Sequence, residues 1–73
     1  MPKPEVTTDG RTVWVNSDGF CIGRFFTGFS RSIGEVLESP QGLRGVIGEG
    51  YDSWVARLKA NWPNVEIDPS LRP

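Results

Sequence analysis

A chain of 73 residues with one cysteine, no histidine and a net charge of −1 is defined first by what it excludes. It suffices for one small domain, whose core must form without an internal disulfide or a closed Cys/His zinc site. The missing histidine removes the ordinary imidazole base and the Ser–His–Asp triad, and the near-neutral charge argues against generic nucleic-acid binding.

The chain begins MPKPEVTTDG, without a basic stretch leading into an apolar one, so no signal peptide is expected. No apolar run approaches membrane-spanning length, and a lone cysteine suits a reducing compartment, so the expected location is the cytoplasm. Residues 1–73 read as a single domain with Pro-rich loose arms at 1–5 and 68–73. Glu5 to Thr8 is expected as a short edge strand, ended by the turn pair Asp9-Gly10. Thr12 to Asn16 is rich in β-branched and aromatic types and reads as a strand. Asp18-Gly19 suits a type I′ hairpin turn, and Phe20 to Phe26 returns as the second strand. An unbroken register sets Val15 opposite Ile22 and Trp14 opposite Gly23, where the indole can lie across the glycine. Alternation then gives one face Val13, Val15, Phe20, Ile22 and Phe26, and the other Trp14, Cys21 and Phe25.

Ser32-Ile33-Gly34-Glu35 fits a capping box and predicts a short helix running to Ser39, with Gly34 weakening it and Pro40 stopping it. Residues 41–50 carry four glycines around Val46-Ile47, which reads as a brief strand. Asp52 or Ser53 is expected to cap a longer helix ending near Asn61, with Trp54, Val55, Leu58 and Trp62 as its apolar stripe. Val65-Glu66-Ile67 alternates and suggests a last edge strand. The predicted fold class is α+β: a small antiparallel hairpin or sheet packed against one main C-terminal helix, with a second short helix.

Few motifs carry chemistry. Residues 23–30, GRFFTGFS, have the glycine spacing of a P-loop but place Phe29 where the phosphate-binding lysine must stand. Gly48-Glu49-Gly50 lacks the third glycine of a dinucleotide fingerprint. The carboxylate pairs Glu35/Glu38 and Glu49/Asp52 read as helix-start charges, and Cys21 as a buried filler beside Trp14. The segment VWVNSDGFCIGRF, residues 13–25, resembles a hairpin found in short proteins of bacteria and their phages, a resemblance that implies no activity.

Residues 11–34 sum to +2 and residues 35–73 to −2, which sets a mildly basic aromatic front against an acidic rear. RFFTGFSR could hold single-stranded nucleic acid by stacking bases on rings beside arginines. The same residues could fill a core, or face a protein partner if the second hairpin face stays uncovered. The leading expectation is a non-enzymatic cytoplasmic protein-binding module without cofactor or metal, such as a phage-borne or accessory inhibitor of a larger complex. Its expected contacts are Trp14, Arg24, Phe25, Phe29 and Arg31, since aromatic residues and arginine dominate interface hot spots. The competing readings are a single-stranded nucleic-acid binder using the same face, and a homodimer formed through an exposed hairpin edge.

Overall fold

A computed structural model of the protein describes residues 4–28, 30–38 and 41–71. Five strands lie in chain order in one antiparallel sheet: β1 (Glu5–Thr8), β2 (Thr12–Ser17), β3 (Phe20–Gly28), β4 (Arg31–Glu38) and β5 (Gly42–Ile47). The helix α1 (Tyr51–Asn61) lies across one face, and a 3-10 turn (Pro69–Leu71) follows. Asp18 and Gly19 adopt φ of 53° and 81°, as a type I′ hairpin turn requires. Before β2, Asp9 Oδ1 accepts the backbone N–H groups of Arg11 and Thr12 at 2.9 and 2.8 Å, which closes the first turn.

The segment expected as a short helix is instead β4, paired to β3 on one side and β5 on the other. Ser32 and Glu35 do not form a capping box. The Ser32 hydroxyl donates to the Glu49 carbonyl at 2.6 Å, and Glu35 Oε1 accepts from Arg24 Nε at 2.6 Å. Ile33 and Val36 are β-branched and Gly34 is poor in a helix, so local preference and sheet pairing agree once β3 and β5 are present.

The core lies between the sheet and α1. Val13, Val15, Ile22, Phe25 and Val36 supply the sheet side; Tyr51, Trp54 and Leu58 supply the helix side. Phe25, Tyr51 and Trp54 form a ring cluster with centroids 5.3–5.6 Å apart. The helix starts at Tyr51, ahead of the expected Asp52 or Ser53 cap. Its N-cap is Gly50, with no side-chain cap bond, and the early start puts Tyr51 into that cluster. The edge strand expected at Val65-Glu66-Ile67 is not formed; Val65 and Ile67 are instead buried against the core. Beyond the helix, Tyr51 Oη donates to the Asp68 carbonyl at 3.4 Å, and Leu71 packs against the core.

Donors from the helix region fix it on β4. Trp54 Nε1 donates to the Glu35 carbonyl at 2.9 Å and Trp62 Nε1 to the Leu37 carbonyl at 2.8 Å. Arg57 Nη2 donates to the Gly34 carbonyl and to Glu49 Oε1, both at 2.8 Å, while Nη1 reaches Glu38 Oε1 at 3.1 Å. Glu49 is 8% exposed, so its charge is almost out of water and Arg57 is its counter-ion. A Cβ on Gly34 would collide with the Glu49 carboxylate and come within 2.8 Å of Trp54 Cδ1.

Three outcomes follow from this packing. Gly34→Ala lowers stability by about 1–3 kcal/mol through overpacking. Gly45→Ala, whose Cβ meets Glu35 Cγ at an ordinary 3.5 Å, changes it by less than about 0.5 kcal/mol. Urea titration of both variants checks the contrast, and equal losses would refute the seat described for the helix. Arg57→Met strands the Glu49 carboxylate and costs about 3 kcal/mol or more in the same assay. Asp9 gives a pH signature. The N–H groups of Arg11 and then Thr12 hold its pKa below the ordinary 3.8. A group depressed in the folded state stabilises above its unfolded pKa, and the gain is lost as pH falls through the folded value. Asp9→Asn should therefore lose less Tm than the parent between pH 5 and pH 2; an equal loss would count against this role.

Candidate functional site: the open face of the sheet

Register decides which side chains share the uncovered face. The hairpin pairs Ser17 with Phe20 and Asn16 with Cys21, and then a bulge shifts the pairing so that Val15 meets Gly23. Ile22 is the extra residue on β3, and beyond it the alternation is inverted relative to an unbroken hairpin. Phe25 consequently faces α1 and is 4% exposed, while Phe26 turns to the open face. The expected assignment of these two rings is thus reversed, and Phe25 is a core residue rather than a partner contact. Gly23 is likewise not beside the Trp14 indole. It faces the helix, where a Cβ would lie 2.9 Å from Leu58 Cδ1.

Two cross-strand rows make up the centre of the open face. One runs Thr12, Phe26, Ile33, Ile47; the other runs Thr7, Trp14, Arg24, Glu35, Gly45. Trp14 and Arg24 stand side by side on adjacent strands and not under the helix; the unbroken register would set Trp14 opposite Gly23, and the bulge brings Arg24 there instead. Arg31 opens β4 and is exposed, and alternation puts it on the same face at the β3–β4 hairpin end. Phe29 lies outside the described residues. Phe26, Ile33 and Ile47 belong to this surface although the sequence reading did not select them. The β-branched residues Ile33 and Val36 of this segment were the available signal for Ile33.

The electrostatics of this face are local. Arg24 donates through Nε to Glu35 Oε1, and its Nη2 forms an ion pair with the same oxygen. The Arg24 guanidinium carbon lies 4.9 Å from the Phe26 ring centroid, within cation–π range. Glu35 is the less exposed partner, 16% against 42% for Arg24. The central cation is therefore neutralised and laid flat, while Ile47 at the end of its row is 67% exposed. The result is an apolar platform with a compensated ion pair in its middle.

The remaining candidates are dispersed. Glu35 is on the open face, whereas Glu38 meets Arg57 and Arg44 on the helix side, so the two carboxylates do not act on a common point. Glu49 is buried against Arg57, and Asp52 is exposed in the first turn of α1. Cys21 is exposed rather than buried; the bulge opens the strand at this point, and Sγ donates to the Gly23 carbonyl at 3.4 Å. Among the described residues no three His, Cys, Asp or Glu side chains are grouped to hold a metal ion, and no helix is long and apolar enough to cross a membrane. At the β2–β3 hairpin end, a groove of about 340 Å³ is lined by Phe20, Ile22, Leu37, Trp62 and Pro63 among others. Compared with protein-family models, with curated proteins and with solved structures, the chain matches none.

The two neighbouring phenylalanines separate fold from surface. Phe25→Ala removes a ring from the aromatic cluster and costs about 3–5 kcal/mol. Phe26→Ala takes a ring from the uncovered face and costs about 1 kcal/mol. Thermal or urea unfolding of the pair measures this. The reverse order would mean that the bulge does not set the facing of β3.

Proposed function

We propose that this protein is a small non-enzymatic binding module that docks on a protein partner through the open face of its sheet. The observation that carries the reading is the row of Phe26, Ile33 and Ile47 beside Trp14, left without cover by the chain's own helix. Apolar surface of this kind, rimmed by polar groups, is the mark of an interaction site. The Arg24–Glu35 pair favours a protein over a nucleic acid. A phosphate backbone draws on uncompensated cations, and the arginine at the centre of this face is already held by a carboxylate. The candidate carboxylates Glu35, Glu38 and Glu49 are each engaged by an arginine, Glu35 by Arg24 and the other two by Arg57. The single cysteine, exposed on β3, fits work in the reducing cytoplasm, as an accessory or inhibitory subunit seated on a larger complex.

Recovery of partners from source-cell lysate tests this, with tagged parent and tagged Trp14→Ser/Ile33→Ser proteins, each with and without nuclease. The expected result is a discrete protein that resists nuclease and high salt and is lost with the double variant, whose fold is verified by circular dichroism. Recovery that disappears with nuclease would transfer the face to nucleic acid. A partner retained equally by the variant would exclude the open face as the binding site.

A further inference from the structure

The sheet has two edges, and they are built differently. β1 is four residues long, follows Pro4, and carries Glu5, Thr7 and Thr8. Shortness, charge and a flanking proline are the usual guards against strand addition. β5 is six residues long and carries Leu43, Val46 and Ile47, which are 49%, 39% and 67% exposed. Its one charged residue, Arg44, reaches back to Glu38 at 3.5 Å. β5 is thus longer and more apolar than β1, and no proline begins it.

Backbone geometry says what fits this edge. The Gly48 N–H donates to the Ser32 carbonyl at 2.6 Å, in step with the β4–β5 register. In an antiparallel pair, hydrogen-bonded and non-hydrogen-bonded positions alternate. Counting back from Gly48, Val46 and Arg44 bond inward to β4, while Ile47, Gly45 and Leu43 turn their N–H and C=O groups to the outer edge, which no strand among the described residues pairs with.

We infer that β5 pairs antiparallel with β5 of a second copy of this chain, about a twofold axis through Gly45. In that register Gly45 meets Gly45 of the second copy and Leu43 meets its Ile47, so every outward-bonding residue opposes an outward-bonding residue. Leu43 and Ile47 share the open face, so the apolar row Phe26–Ile33–Ile47 continues into Leu43 across the axis. Arg44 falls opposite Val46. Sliding one way by two residues sets Arg44 against Arg44, a like-charge cross-strand pair that is destabilising. Sliding the other way shortens the overlap. The strand is thus complementary to itself in one register, which an arbitrary partner strand need not match. Pairing leaves Trp14 and Arg24 uncovered, so this inference stands or falls separately from the proposed docking of the open face.

Sedimentation equilibrium across a concentration series tests it, with two variants. Ile47→Lys alters a side chain exposed in the single chain, so it leaves the fold intact and should weaken dimerisation at least ~10-fold, which corresponds to 1.4 kcal/mol. Gly45→Cys in a Cys21→Ser background places two thiols on the axis. Hydrogen-bonded antiparallel partners have Cα atoms about 5.5 Å apart, within disulfide range. Oxidised glutathione should then yield a covalent dimer at low protein concentration, whereas Trp14→Ala should leave the association constant unchanged. A parent that stays monomeric at several hundred micromolar would overturn the inference. So would a dimer indifferent to Ile47→Lys, or one in which the cysteines at position 45 fail to cross-link.

Discussion

The helix of this protein is seated on a sheet position that has no side chain. Gly34 leaves the space that the Glu49 carboxylate and the Trp54 indole fill, and Arg57 closes over it by bonding both the Gly34 carbonyl and Glu49. The arrangement holds a nearly buried carboxylate without leaving its charge uncompensated, which is the condition under which burial of an ion is tolerated. It also sets the position of α1 along β4, because Arg57, Trp54 and Trp62 each reach a carbonyl of that strand. A domain of this size has little apolar surface to spare, so directional contacts of this kind complement what packing alone provides.

With one face committed to the helix, the other is left to whatever the register brings there. The bulge at Ile22 decides this for the two phenylalanines: one joins the ring cluster with Tyr51 and Trp54, and its neighbour lies under the Arg24 guanidinium. The open face then combines exposed apolar groups with a neutralised ion pair, a composition closer to an interface core than to a phosphate-binding track.

Much of the sheet was legible in the sequence. Thr12 to Phe26 carries β-branched and aromatic types around Asp18-Gly19, and the turn forms with the backbone angles that pair favours. Trp14 keeps the facing that alternation along β2 gives it, whereas Arg24 reaches the same face only because the bulge inverts β3 beyond Ile22. The facing of Phe25 and Phe26 was not legible, since a one-residue bulge leaves no clear mark in the pattern yet inverts everything beyond it. The strand at residues 31–38 was hidden by a local coincidence: Ser32 and Glu35 have capping-box spacing, but their side chains are drawn to Glu49 and Arg24, which are remote in sequence. Val65 and Ile67 alternate like an edge strand, yet they form none and are buried against the core instead. Local signals thus succeed where neighbours in sequence supply the partners, and fail where the partner lies across the fold.

The meander has a temporal consequence during synthesis. Each strand pairs with the one made just before it, so the sheet can assemble in the order in which the chain leaves the ribosome. Its cover comes last, because Tyr51, Trp54, Leu58, Val65 and Ile67 all follow β5. At 5–20 residues per second, the roughly twenty residues from the end of β5 through the last core side chain take on the order of 1–4 s to make. Throughout that interval Val13, Val15, Ile22, Phe25 and Val36 have no helix over them. Until the helix docks, the sheet is apolar on both faces.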